Sequence, residues 1–318
     1  MPYGRAGAWF VRIEQMSDVV LLSGTSNQPL ASSIASILKT PLGKIEITRF
    51  IDNECRVYIT EELKGKEVFV LQSLSAVADQ HLVELCLIGQ AAKSLGASRV
   101  TAVIPWMGYS KQDKAFRRGE AVSAQLVAKV IEVAGIDAVM TVELHSENVV
   151  PFFRIPVTEL STHELLGASL KRLNLLGTVV VSPDAGGKSR SWRFAKTIGF
   201  PIVYLEKDRD KATGKVSVTG IKGDVRGKDV VIFDDIINTG ATAIKTSAFL
   251  KNHGAKRIIF LATHAVLAGD AEEKLAASPI DQVVVTDTIA IPKEKRFSKL
   301  SIVSVAPILA DAISSKIA

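Results

Sequence analysis

At 318 residues the chain is long enough for two substantial cores, and 47% hydrophobic content with only 6% aromatic makes those cores aliphatic. The formal charge of +6, from 39 basic and 33 acidic residues, suits anionic small molecules, and with no basic tract interleaved with aromatics it argues against nucleic acid. No apolar run reaches a membrane span, and Cys55 and Cys86 lack a CxxC or zinc spacing, so a cytoplasmic protein with reduced thiols and no membrane partner is expected.

Residues 1–16 read as an N-terminal extension that adds nothing to the fold, with Met16 the natural start. A strand follows at 19–23 and a helix at 26–38 whose exposed side is small. A strand at 45–50 runs into Asp52, Asn53 and Glu54, and a short one comes at 57–59. Residues 68–73 form the next strand, followed by a helix at 79–95 and a strand at 100–105. The long loop from Trp106 to Gly119 carries Lys111, Lys114, Arg117 and Arg118, which suit a polyphosphate, with glycines near its ends that let it close. The strand at 139–142 delivers Glu143 and His145, and the strand-like 155–157 precedes a division near Leu160.

Beyond that point the plan repeats. Gly65-Lys66 before one strand is echoed by Gly227-Lys228 before another, Gly96-Ala97-Ser98-Arg99 by Gly254-Ala255-Lys256-Arg257, and Gly135-Ile136-Asp137 by Pro279-Ile280-Asp281. Three landmarks in one order predict an α/β protein of two duplicated domains, residues 17–160 and 161–318. Each is expected to be a mostly parallel sheet flanked by helices, with sites at the carboxyl ends of its strands.

The second copy carries the chemistry. At 230–242 four apolar residues run into Asp234 and Asp235, then a turn containing Asn238, Thr239, Gly240, Ala241 and Thr242, then helix formers. Loop amides and a helix start hold a phosphate, while two carboxylates beside it call for sugar hydroxyls or a divalent cation. Two acids after an apolar strand also fit a solvated strand end. The first copy has Gln72 and Ser73 at the matching place, without the acids or glycine. Residues 179–187 form a second strand and loop, in which Asp184 is a metal candidate and Gly186-Gly187 allow close backbone approach. Lys207 and Arg209 stand two apart, so an extended segment points both cations one way, although a solvated charged loop reads equally well.

Together these stretches resemble the ribose-phosphate pyrophosphokinases, whose motifs occur here in family order from about Ser17 to the C-terminus. The resemblance implies type I phosphoribosyltransferase-like domains and an enzyme transferring the β,γ-diphosphoryl group of MgATP to the C1 hydroxyl of ribose 5-phosphate, giving phosphoribosyl diphosphate (PRPP) and AMP. Phe50, Asp52, Asn53 and Glu54 match the ATP segment reaching in from a neighbouring subunit, and Lys111 with Gln112 matches the ATP pair of the long loop. His145 and Asp184 match the Mg2+ positions, Lys207 the catalytic lysine and Arg209 its partner. Asp234, Asp235 and residues 238–242 match the ribose 5-phosphate loop, and a homo-oligomer, dimer or hexamer, is implied.

The chain departs from the family pattern at Asn238, where an aspartate is usual, and at Ala241 and Asn53, where glycine is usual. Lys111 replaces arginine and Glu143 replaces aspartate. Altered sugar handling and a looser hold on ATP are the expected consequences, since lysine gives up the bidentate fork. Two other readings stay open: a catalytically silent regulatory homologue, and a phosphoribosyltransferase, which would not require ATP.

Overall fold

The computed structural model describes residues 18–183, 187–209 and 216–317, with the side chains of 207–209 and 216–219 excepted. The expected extension and Asp184 lie outside the described residues.

The first half contains β1 (Val19–Ser23), α1 (Gln28–Leu38), β2 (Ile45–Arg49), β3 (Cys55–Ile59), β4 (Glu67–Leu71), α2 (Ala78–Ser94), β5 (Arg99–Ile104), α3 (Ser123–Val133), β6 (Ala138–Val142) and β7 (Val157–Leu160). β7 sits two residues later than the strand expected at 155–157, because pairing with β6 begins at Val139 opposite Val157, where Pro156 offers its carbonyl to Val139 N. The main sheet is parallel in the order β1-β4-β5-β6-β7, and β2 and β3 form a separate antiparallel hairpin.

The second half begins with α4 (His163–Leu170), β8 (Val179–Ser182), α5 (Lys188–Ile198), β9 (Ile202–Arg209) and β10 (Val216–Lys222). It continues with β11 (Asp229–Ile237), α6 (Ala241–Asn252), β12 (Arg257–Ala265), α7 (Ala271–Ala277), β13 (Gln282–Thr286), β14 (Leu300–Val303) and α8 (Ala306–Ile317). Its sheet runs β10-β9-β8-β11-β12-β13-β14, parallel except for β10. The order β8-β11-β12-β13-β14 repeats that of the first sheet, hairpin insertion included. The main strands are Val/Ile-rich runs buried on both faces, as a helix-covered parallel sheet requires.

The repeated landmarks are hydrogen-bonded alike. Gly65 N donates to Gly96 O at 2.9 Å and Gly227 N to Gly254 O at 2.8 Å. Asp137 and Asp281 each cap the following pairing through a carboxylate, accepting from Val100 N and Ile258 N, both at 2.7 Å. Such agreement in backbone detail marks two copies of one unit, more than two similar βαβ runs would.

The halves exchange helices. α8 follows the last strand of the second sheet but packs on α1, burying Leu309 and Ile313 with Leu30 and Ile34 against β1 and β4. α4, which follows the last strand of the first sheet, packs on α5, with Leu166 and Leu170 against Phe194 and Phe233. A cut at 160/161 therefore leaves the cover of the first sheet on the other side of the cut.

Candidate active site

β11 ends where the two halves meet, and a cavity of about 660 Å3 opens there. It is lined by Lys111, Asp113 and His145 from the first half, and by Arg190, Asp234, Asp235 and residues 236–243 from the second. The carboxylates do not follow the strand, as the apolar run suggested; β11 continues through them to Ile237, with Asp234 opposite Ala262 and Ile236 opposite His264 of β12. The ladder holds both backbones rigidly, and the turn begins only at Asn238.

That turn is shaped by Gly240, whose φ of 72° is a conformation glycine adopts without strain. α6 starts immediately after it with no side-chain cap, leaving first-turn amides directed at the cavity mouth. Ala241 opens the helix at ordinary negative φ, so the backbone makes no demand for the glycine that the resemblance led one to expect. Asn238 accepts a hydrogen bond from Ala268 N through its carbonyl at 2.9 Å, which ties the turn to the loop after β12.

Asp235 is 1% exposed and both its oxygens are engaged. Oδ1 accepts from Arg190 Nη1 at 2.7 Å and Oδ2 from His145 Nδ1 at 2.6 Å. Burial pushes its carboxyl up, but the His145 hydrogen bond and the Arg190 charge outweigh burial and hold it down at about 2. Arg190 also reaches Asp234 Oδ1 at 3.4 Å and donates through Nη2 to His145 O at 3.0 Å. One guanidinium thus joins both acids to the histidine loop after β6.

Arg190 escaped the sequence reading. The only local signal was its place three residues beyond Gly187 in the first turn of α5, which brings it over the end of β11.

Lys111 lines the same cavity, its Nζ 5.8 Å from the Trp106 ring centroid; burial lowers its pKa while Asp235 pulls it back up. Asp113 ties the long loop to the histidine loop, accepting from Ser146 Oγ at 2.7 Å and Asn148 Nδ2 at 2.9 Å. Gln112 turns elsewhere: its Oε1 accepts from Ser123 Oγ at 2.6 Å near the start of α3, and it does not line the cavity.

Phe50, Asp52, Asn53 and Glu54 stay at the solvent-exposed tip of the β2–β3 hairpin and do not line the cavity, with Phe50 54% exposed. Asn53 has φ 74°, which asparagine tolerates best after glycine, so the residue fits the turn without the glycine that the resemblance led one to expect. Lys207 and Arg209 fall within β9, so their backbones are extended.

With its Nδ1–H given to Asp235, His145 keeps Nε2 for a metal, the carboxylate–histidine arrangement that orients metal-binding imidazoles. The imidazole of His145 is thus chemically suited to hold a cation. Among the described residues no group of three His, Cys, Asp or Glu forms a metal cluster.

A second buried histidine, His264 on β12, is 0% exposed and neutral, with burial pushing its pKa down to about 4. In the unfolded chain it would titrate near the ordinary 6.5, so the unfolded state takes up the proton first. The folded state keeps its full margin above pH 6.5 and loses about 3 kcal/mol on this account as pH falls to about 4. Urea unfolding at pH 7 and pH 5 should show wild type losing about 2 kcal/mol more than His264→Gln. Equal losses would show that the imidazole is not held neutral.

Two mostly parallel sheets of one repeated order, with a strand, turn and helix cradling acids and free amides at a carboxyl edge, define a phosphoribosyltransferase-type α/β protein. The chain belongs to the ribose-phosphate pyrophosphokinase family. A family model for the N-terminal domain of ribose phosphate pyrophosphokinase matches residues 19–135, and one for the phosphoribosyl synthetase-associated domain matches 203–317. The ribose-phosphate pyrophosphokinase of Ralstonia nicotianae is 39% identical over 298 residues, covering 93% of this chain and 94% of its own. That of Aquifex aeolicus is 40% identical over 299 residues, covering 94% and 96%. The crystal structure of phosphoribosylpyrophosphate synthetase from Mycobacterium smegmatis superposes with a TM-score of 0.88 at 33% identity, covering 94% of this chain and 98% of that one.

Proposed function

We propose that this chain is a ribose-phosphate diphosphokinase that joins the β,γ-diphosphoryl group of MgATP to the C1 hydroxyl of ribose 5-phosphate, yielding PRPP and AMP. The observation that carries this reading is the shared cavity, in which the acidic strand end and amide turn of one half face Lys111 and His145 of the other. The C1 oxygen attacks the β-phosphorus, the bond from that phosphorus to the α-bridging oxygen breaks, and AMP departs. Protein groups contribute position and charge.

Residues 238–242 anchor the 5-phosphate through turn amides and the hydroxyls of Thr239 and Thr242. Asp234, on the cavity wall, receives the ribose hydroxyls. Asp235 shares that task in the sequence reading, yet its two oxygens are already taken by Arg190 and His145. Lys207 and Arg209 counter charge on the transferred group. His145 and Asp184 would hold Mg2+, which neutralises the diphosphate when bound.

The exposed hairpin tip from Phe50 to Glu54 lies away from its own cavity, which favours completion of a neighbour's ATP site in a homo-oligomer, a dimer or a hexamer. A cytoplasmic setting suits these substrates; among the described residues no helix is long and apolar enough to cross a membrane.

Purified protein incubated with MgATP and ribose 5-phosphate should release AMP and PRPP in equal amounts, and neither without the sugar. Absence of both products from folded, oligomeric protein would sink the reading and favour the silent homologue. PRPP consumption with an added base and no ATP requirement would favour the transferase.

A further inference from the structure

We propose that His264 is a positioning residue for the reaction: from inside the second half it fixes the roots of the two first-half loops that bring His145 and Lys111 to the cavity. This rests on the function proposed above. His264 is fully buried on β12, opposite Ile236, two residues past the Asp234 register position. Its Nε2 lies 2.8 Å from the carbonyl oxygen of Glu143. A carbonyl only accepts, so Nε2 carries the hydrogen and Nδ1 must accept from Thr288 Oγ1, 2.9 Å away. The hydrogen-bond network thereby selects one tautomer.

Both ends of this imidazole bear on the site. Glu143 is two residues before His145 and has φ 38°, the left-handed region that a non-glycine residue adopts only when its surroundings hold it there. Its side chain is clamped as well, Oε1 accepting from Ser161 Oγ at 2.7 Å and Thr162 N at 2.9 Å. The sharp turn that results sends His145 back to Asp235. On its other side the His264 ring meets Trp106, centroids 4.5 Å apart at an interplanar angle of 53°. Trp106 starts the long loop and lies under Lys111.

Thr288 completes the tie, since its carbonyl accepts from Ser73 Oγ at 2.5 Å, and Thr263 Oγ1 beside His264 pairs with Thr162 Oγ1 at 2.7 Å. A continuous line of buried hydrogen bonds therefore crosses the junction of the halves at the point where both loops leave the first sheet. Misplacing a reacting or orienting group by about an ångström costs roughly 100-fold in rate.

The test compares two substitutions that differ in which ring nitrogen they imitate. The amide nitrogen of His264→Gln reaches the Nε2 position and can still donate to Glu143 O; the shorter His264→Asn reaches only the Nδ1 position. The chain has five histidines, so imidazole resonances of 15N-histidine-labelled protein can be assigned by single substitutions. In metal-free, ligand-free full-length protein the His145 resonance should shift in H264N and stay near its wild-type position in H264Q. In the AMP- and PRPP-forming assay H264N should lose roughly 10- to 100-fold in kcat with a smaller change in KM for ribose 5-phosphate, and H264Q should recover most of the loss. Thr288→Val, which removes the partner of Nδ1, gives a second route to the same shift if H264N does not fold. An unmoved His145 resonance in folded H264N or T288V overturns the proposal, as do equal losses in H264N and H264Q, which would reduce the ring to packing. Should wild type form no PRPP, the proposed function fails, while the resonance comparison still decides the positioning role.

Discussion

Arg190→Met is expected to cost about 3–5 kcal/mol of unfolding free energy and to abolish nearly all PRPP formation. The guanidinium is the partner of Asp235 Oδ1, and the carboxylate is 1% exposed, so methionine, shorter and without charge, leaves it desolvated with only His145 for company. It also releases Asp234 Oδ1 and the carbonyl of His145, and with them the alignment of the cavity wall with the histidine loop. Adding Asp235→Asn should recover more than half of the lost stability, because a neutral amide tolerates burial better than an unpaired charge, and should recover none of the activity. Urea titrations with an unchanged slope measure the first claim. A single mutant as stable as wild type would show the pair to be energetically idle.

Lys207→Ala should reduce turnover by about 10²–10³ while leaving the melting temperature in place. Its backbone is extended in β9, and residues two apart on a strand share a face, which suits the joint role proposed for Lys207 and Arg209. The loss belongs to kcat because charge accumulates on the transferred group during transfer. Arg209→Ala should act in the same direction, and the double variant should fall well short of the product of the two, since in the proposed function the cations serve one group. Near-normal turnover in Lys207→Ala refutes the assignment.

Several of the family departures now have local explanations. Asn53 takes the left-handed turn that glycine would take, and Ala241 stands where helical geometry needs no glycine. Glu143, longer by a methylene than the aspartate the resemblance led one to expect, spends its carboxylate on Ser161 and Thr162 at the junction of the halves. Nothing in the structure explains the choice of asparagine at 238.

The sequence by itself determined most of the central strands, their repetition and the turn after the acids, because each is written in contiguous residues. Apolar runs dictate buried parallel strands, and glycine and aspartate landmarks recur at corresponding places and form the same hydrogen bonds. The motif order carried the family with them. Only the tertiary structure decided that Asp234 and Asp235 lie inside β11, that Arg190 clasps them, that α8 covers the first sheet, and that His264 braces Glu143 and Trp106. Those contacts join residues from 44 to more than 100 positions apart, as with Arg190 to Asp234 and His264 to Glu143. They depend on which faces meet when the two sheets dock, and no local propensity encodes that.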